Sequence, residues 1–296
     1  MPTSPNFTRS NFKLVRFVGS VSSPYTGKIR TQEFDGVFWE AEVSLPPMRR
    51  SIASQWQSFL MQLNGPVNNF RFADPDALLQ QGTYSCNNLQ AESRVNETNI
   101  TLSFTASTNT IASASNTTPF SNIIVGDHIV VSGSAKPENN GTHRVVTKSN
   151  AYTITVSPVD YNSLVDETNK AGCKIRDNIK GAKGLNLKGG ANSCSGTIVV
   201  GDYLGLSGSS SSAANTYIPT QYIQVVENAT ETDNGNSARN QYSIRTEPKL
   251  RADLSANNRV YINPAKGLFR LSSNTVEWDA DAISNYGISF TCVEVV

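Results

Sequence analysis

A twelve-residue segment occurs twice in this chain, and the repeat limits the folds that the chain can adopt. Residues 123–134 and 198–209 align with an offset of 75 positions, and seven of the twelve aligned residues are identical. In both copies apolar residues flank a Gly-Asp pair, where glycine permits a positive φ and aspartate accepts hydrogen bonds from local amides. Further strand patterns follow each copy. Each copy therefore predicts a small strand–turn–strand unit, such as a little β-barrel, and two copies fall short of a stacked repeat array.

Alternating apolar residues near both ends of the chain predict further strands. Every second residue from Val37 to Leu45 is apolar, and Ile288, Phe290 and Cys292 alternate with Ser289 and Thr291. A period of two is typical of a strand with one buried face. We therefore expect a core domain that both chain ends build.

Only one segment has a strong helical pattern. Pro47 suits a first helical turn, Gly65 suits the exit, and the segment between them predicts a helix over residues 47–63. Its apolar residues recur at spacings of three and four and predict a stripe that packs into the core: Met48, Ile52, Trp56, Phe59, Leu60 and Leu63.

The charge and hydropathy of the chain argue against two classes of partner. The 25 basic residues nearly balance the 24 acidic ones, so there is no basic excess typical of a nucleic-acid footprint. No apolar run approaches the roughly 18–20 residues of a membrane span. Residues 1–11 do not have the pattern of a secretory signal, so we expect the chain to fold in a cytosol.

The residues that could perform chemistry do not form a recognisable constellation. His128 and His143 are the only histidines, and no nucleophile motif accompanies them. The pairs Asp74/Asp76 and Asp279/Asp281 have too few neighbouring ligands for a metal, so we interpret both as turns. The glycine-rich stretches 180–184 and 188–190 match no phosphate-binding motif and are predicted to be loops.

The two repeated aspartates, Asp127 and Asp202, are predicted to cap amides of their own turns. We therefore expect no catalytic, cofactor-binding or metal-binding residues and no cofactor. The chain is not predicted to be an enzyme.

The four cysteines are too widely spaced for a zinc or thioredoxin-like motif. Cys86, Cys173, Cys194 and Cys292 are expected to be buried or idle thiols. A disulfide such as Cys173–Cys194 is the alternative, although a cytosolic origin disfavours it.

Several segments resemble a family of tail-tip structural proteins of long-tailed bacteriophages, similar to distal tail proteins. The resemblance spans roughly residues 1–85 and 180–296, and the string at 38–50 is its most specific part. The matching segments are 23–27 (SPYTG), 38–50 (FWEAEVSLPPMRR), Trp56, 59–60 (FL), 63–65 (LNG), 74–76 (DPD), 201–203 (GDY), 247–251 (EPKLR) and 267–274 (GLFRLSSN).

The resemblance implies a mainly β fold. We expect a belt-like β-sandwich core domain with one principal α-helix, formed by residues 1–85 and 180–296, and an inserted small β-barrel-like domain at 86–179. It also implies a virion protein of the phage tail, assembled in the bacterial host cytoplasm. Its expected partners are other copies of itself in a ring, a hexamer as in the family, together with the tail tube protein and baseplate hub or tail fibre proteins.

Three other interpretations stay open at this point. The chain could be a generic soluble β protein, or a carbohydrate- or receptor-binding adhesion module whose Trp and Tyr side chains stack on sugars. It could also be a tail-borne glycan hydrolase, which would need two carboxylates about 5–10 Å apart.

Overall fold

The computed structural model describes residues 1–34, 36–86, 88–114, 117–159, 163–190, 194–208, 218–232, 240–281 and 285–296. Strands account for 49% of the chain and helices for 9%. The expected mainly β class is therefore confirmed. None of the helices within these ranges has the length and apolar character needed to cross a membrane.

The elements are numbered in chain order. The first part of the chain contains β1 (Arg9–Val15), β2 (Val18–Ser22), β3 (Ile29–Glu33), β4 (Phe38–Ser44), β5 (Met48–Arg49), the helix α1 (Arg50–Leu63), β6 (Phe70–Phe72), β7 (Asn88–Ala91), β8 (Asn96–Thr105), β9 (Thr110–Ser113), β10 (His128–Ser132), β11 (Gly141–Asn150) and β12 (Thr153–Pro158). The rest contains β13 (Glu167–Arg176), β14 (Gly184–Gly189), β15 (Tyr203–Ser207), β16 (Pro219–Thr232), β17 (Gln241–Glu247), β18 (Arg259–Tyr261), β19 (Gly267–Leu271), β20 (Trp278–Ala280) and β21 (Asn285–Glu294). Short 3-10 turns occupy Pro75–Ala77, Ala106–Thr108 and Pro137–Asn139.

The chain divides into two compact units. The first unit consists of residues 1–78, 218–222 and 265–296, and the second consists of 79–217 and 223–264. In the prediction, residues 79–85, 180–217 and 223–264 were part of the core domain, whereas the structure groups them with the inserted segment. The described strands of these segments pair with β7 and with one another, which accounts for this grouping.

The main sheet of the first unit has the order β1-β4-β21-β19-β6, with β5 and β20 also paired to β21. Strand β21 from the chain's end therefore lies between β4 and β19, as the alternating patterns at both ends predicted. Along β4, Trp39, Ala41 and Val43 are buried while Glu42 is exposed. This alternation places one face of β4 on the core.

The helix α1 packs its apolar stripe against the same core. Trp56 and Leu60 are almost fully buried, and the Trp56 ring lies edge-on to Phe7 with centroids 5.6 Å apart. The predicted helix started at Pro47, but the observed one starts at Arg50 because Met48 and Arg49 pair with β21 as a short strand. Asn64 ends the helix in the left-handed conformation, with φ 52°.

The second unit contains two six-stranded closed barrels. The first barrel has the cyclic order β10-β11-β12-β9-β8-β13, and the second has the order β15-β16-β17-β14-β7-β18. The two orders correspond strand for strand. The first barrel is inserted in the sequence between β7 and β14, two neighbouring strands of the second. The expected small barrel is therefore present, and a second barrel of the same topology encloses it in the sequence.

Each barrel has its own apolar core. In the first barrel, Leu102, Ile111 and Ile129 are fully buried, and in the second, Leu89 and Leu187 are. The stretches 180–184 and 188–190 were predicted to be loops, and this is wrong for Gly184, Lys188 and Gly189, which belong to β14. Pairing with β7 and β17 overrides the low strand propensity of glycine.

Candidate functional site

The two repeated Gly-Asp segments form the same turn in both barrels. Asp127 accepts a hydrogen bond through Oδ2 from the amide of Ile124, and Asp202 does the same with Val199, each at 2.9 Å. Each turn precedes a barrel strand, β10 or β15. The predicted capping role of both aspartates is confirmed, and the repeat in the sequence marks a repeated turn in space.

The second carboxylate oxygen has a different partner in each copy. Asp202 Oδ1 accepts from the amides of Gln81 and Gly82, at 2.6 and 3.3 Å. Asp127 Oδ1 instead contacts the guanidinium of Arg94 and accepts from the Ser243 hydroxyl at 2.7 Å. Asp202 therefore fastens the segment before β7, whereas Asp127 connects its own barrel to β17 of the other.

Arg94 lies at the centre of a buried polar contact between the two barrels. Its side chain donates to the Glu92 carboxylate at 2.9 Å and to the carbonyl oxygen of Leu187 at 3.1 Å, in addition to Asp127. Only 2% of this side chain is exposed. Because a buried guanidinium requires carboxylate and carbonyl partners to offset its desolvation, these contacts fix the position of the residues around it.

Four further residues complete this contact, which we call the barrel seam. Asn186 on β14 accepts from the His128 amide at 3.0 Å and donates to the His128 carbonyl at 2.9 Å. Asp177 accepts from the Arg94 amide at 2.7 Å. The seam consists of Arg94, Asp127, His128, Asp177, Asn178, Asn186 and Ser243.

Burial dominates the electrostatics of the seam. It raises the pKa of the Asp127 carboxyl, and Arg94 and the Ile124 amide oppose this shift. Burial also raises the pKa of Asp177, opposed by the Arg94 amide. For His128, burial, Arg144 and Arg245 lower the pKa to about 3, so the ring is neutral at physiological pH.

Both histidines of the first barrel are buried, and one of them, His128, belongs to the seam. Among the described residues, neither ring nitrogen of His128 has a hydrogen-bond partner, so no hydroxyl or thiol is positioned as its nucleophile. His143 is also buried, and its Nε2 lies 3.0 Å from the carbonyl oxygen of Asn139. The two histidines therefore act as packed residues of the first barrel.

The other predicted carboxylate pairs are separate from the seam. Asp74 accepts from the Asp76 amide at 3.1 Å, so the predicted turn there is confirmed. Asp279 was also assigned to a turn, which is wrong, because it lies in β20 opposite Gly287. Asp281 follows β20 and accepts from the Asn285 amide at 2.7 Å, and residues 282–284, beside the predicted turn, lie outside the described residues. Within the described ranges, no group of three or more His, Cys, Asp or Glu side chains could hold a metal ion.

The cysteines differ from the expectation of four idle thiols. Cys86 and Cys194 form a disulfide, whereas Cys173 and Cys292 are buried free thiols. The alternative pair Cys173–Cys194 is therefore wrong. Backbone bonds beside the disulfide, from Tyr84 to Thr197 and from Ser85 to Ser195, bring the two bonded cysteines together. Spacing along the chain does not reveal this proximity.

A different kind of feature occurs in the first unit, on the hairpin of β2 and β3. Among the described strands these two pair only with each other, and every residue of β3 is exposed. Of the eighteen exposed large apolar side chains in the described chain, six fall within residues 17–34. We call them the hairpin surface: Phe17, Val18, Val21, Tyr25, Ile29 and Phe34.

The sequence contained a signal for the hairpin surface that the predictions did not use. Apolar residues at positions 18, 21 and 29 fall on both faces of the hairpin. A strand that packs one face on a core needs apolar residues on that face only. Tyr25, in the turn between the strands, is 96% exposed. Arg94, Asn186 and Ser243 were also missed, because the partners of buried polar residues lie far away in the sequence.

The seam can hold two barrels in one arrangement, and the hairpin surface can contact another protein. Comparison with known proteins adds no assignment: the chain matches no protein-family model, and no curated protein has significant sequence similarity to it.

Proposed function

We propose that this protein is a structural subunit of a bacteriophage tail tip, similar to a distal tail protein. In this proposal the first unit is a belt-like β-sandwich domain, and copies of it form a ring that joins the tail tube to the baseplate hub or fibres. The resemblance of residues 38–50 and of the other matching segments supports the family. The hairpin surface is the structural observation that carries the assembly role.

The hairpin surface supports self-assembly for a physical reason. A two-stranded hairpin is only marginally stable in water unless it packs against something. Val21 is 74% exposed and Ile29 is 68% exposed, although both are strongly apolar. Concentrated apolar exposure of this kind marks an interaction site. A subunit whose function is to join other subunits needs such a surface and does not need a reactive site.

Light scattering combined with negative-stain electron microscopy tests the assembly role. The purified chain is expected to form a closed oligomer, and Val21→Asp is expected to weaken it, because the change puts a charge into an apolar contact. Val67→Asp is the matched control, since Val67 is 68% exposed in the same unit but lies outside the hairpin.

Both variants should have the circular dichroism spectrum and melting temperature of the parent chain. A parent chain that stays monomeric at all accessible concentrations would contradict the proposed function. If Val21→Asp and Val67→Asp weaken the oligomer equally, the hairpin surface is not the contact between its subunits.

A further inference from the structure

Strand β20 forms an exposed acidic edge in the first unit. It pairs with β21 through Trp278 and Asp279, and no other described strand pairs with it, so its outer edge is open. Residues 274–281 contain Glu277, Asp279 and Asp281 and no basic residue. Glu277 and Asp279 are both exposed. Glu277 directly precedes β20 and Asp279 lies within it, and alternate residues of an extended chain point to the same face.

The surface beside these acids is uncovered. Asp279 lies opposite Gly287, and a side-chain carbon placed on Gly287 would meet no atom within 4 Å. Trp278, on the opposite face of the strand, is 43% exposed. The open edge leaves backbone N–H and C=O groups unpaired, and the exposed acids beside it add a negative charge that a basic surface can complement.

The hairpin of β2 and β3 has the opposite charge. Residues 18–33 contain Lys28, Arg30 and one acid, Glu33, which lies opposite Val18 on the other face of the hairpin and 3.8 Å from Arg16. Arg30 lies opposite Val21 in the hairpin, and Lys28, two positions before Arg30, falls on the same face. This face therefore combines an exposed apolar residue with two bases.

The spacings of the two charged pairs match. Alternate residues of an extended chain are roughly 6.5–7 Å apart, and this is the separation expected both for Lys28 and Arg30 and for Glu277 and Asp279. Each pair has one member just before its strand and one member within it. Two bases can therefore lie over two acids at the same time.

We propose that the hairpin face of Val21, Lys28 and Arg30 docks on the β20 edge of a second copy of this chain, over Glu277 and Asp279. This inference rests on the proposed self-assembly and names the surface that accepts the hairpin. A second copy is the favoured occupant because each chain carries both the basic hairpin face and the acidic β20 edge. A contact between two different surfaces repeats from copy to copy and closes into a ring when the rotation permits.

Charge reversal on each side tests this contact. The hairpin variant carries Lys28→Glu and Arg30→Glu, the edge variant carries Glu277→Lys and Asp279→Lys, and the combined variant carries all four changes. Each one-sided variant is expected to raise the dissociation constant of self-association by at least about tenfold, because like charges then face each other. The combined variant restores opposite charges and should return to within about threefold of the parent chain.

Two measurements separate this effect from misfolding and from net charge. All variants should keep the parent melting temperature, since the substituted side chains are exposed. A control with Lys170→Glu and Lys174→Glu, in the second unit, changes the net charge as much as the hairpin variant does but should leave association unchanged. Sedimentation velocity over a range of salt concentrations provides the dissociation constants.

The outcomes distinguish the two proposals. Weakening by both one-sided variants with recovery in the combined variant supports the docking of hairpin on edge. Weakening by the hairpin variant alone overturns β20 as the acceptor but leaves hairpin-mediated assembly standing. No weakening by either variant overturns the docking, and a parent chain that does not associate overturns the docking and the proposed function together.

Discussion

Asn178 donates a hydrogen bond from Nδ2 to the carbonyl oxygen of Glu92 at 3.1 Å, and this bond joins the two ends of the inserted barrel. Beside it, the Arg94 amide donates to Asp177 at 2.7 Å. The chain thus leaves the second barrel after β7 and returns to it before β14 at almost the same point. An insertion with adjacent ends disturbs the host barrel little, because the neighbouring strands β7 and β14 stay paired on their own.

The adjacent ends predict that the first barrel can be removed. Replacement of residues 93–177 by a short Gly-Ser linker should leave a folded second barrel, and residues 92–178 alone should also fold around their own apolar core. Circular dichroism and cooperative urea unfolding of both shortened proteins check this. Loss of cooperative unfolding in both pieces would show that the barrels fold only together.

The two capping aspartates are expected to differ in their contribution to stability. Asp202→Ala removes an acceptor from the amides of Val199, Gln81 and Gly82 and should cost about 1–3 kcal/mol of unfolding free energy. Asp127→Ala also takes a carboxylate from the buried Arg94 and should cost about 3–5 kcal/mol. Urea denaturation of both variants gives the comparison.

Asparagine provides the matched control at position 202. Asp202→Asn keeps one carbonyl oxygen as an acceptor, so its cost should be smaller than that of Asp202→Ala. Equal costs for Asp127→Ala and Asp202→Ala would show that the Arg94 contact contributes no stability beyond the cap.

Stability should depend on pH through His128. Its folded pKa of about 3 is below the ordinary value of about 6.5, so between these values the unfolded chain binds more protons. Stability from the neutral ring is therefore fully present above pH 6.5 and declines as the pH falls toward 3, by about 1.4 kcal/mol per pH unit within the window.

His128→Leu removes the titrating group and keeps the site apolar. Between pH 7 and pH 5 the parent chain should lose about 1–2 kcal/mol more unfolding free energy than this variant does. Urea unfolding at the two pH values measures the difference. Identical pH dependence in both proteins would contradict a neutral buried His128.

The disulfide should stabilise the second unit. Reduction, or the double change Cys86→Ser and Cys194→Ser, is expected to lower the unfolding free energy by about 2–4 kcal/mol, because the unfolded chain gains freedom. Thermal unfolding with and without a reductant checks this. Cys173→Ala is the control, because it keeps the disulfide. The reductant should lower the melting temperature of Cys173→Ala but not that of the double serine variant.

The parts of the fold that depend on local pattern could be predicted from the sequence. Alternation identified β4 and β21, helical spacing identified α1, and the repeated Gly-Asp segment identified the two capped turns. These features follow from interactions between residues that are near in the sequence or share one period.

The parts that depend on distant partners could not be predicted. The Arg94–Asp127 contact joins residues 33 positions apart, and the disulfide joins residues 108 apart. The membership of residues 180–217 and 223–264 in the second unit depends on pairings such as β7 with β14. No local signal specifies which of many polar or apolar residues will meet in this way.

Imaging of intact phage particles that contain this protein tests the central claim most directly. Cryo-electron microscopy with antibody labelling should place the chain at the distal end of the tail, as a closed ring of identical copies between the tail tube and the baseplate. Single unassembled copies, or location in another part of the particle, would contradict the account.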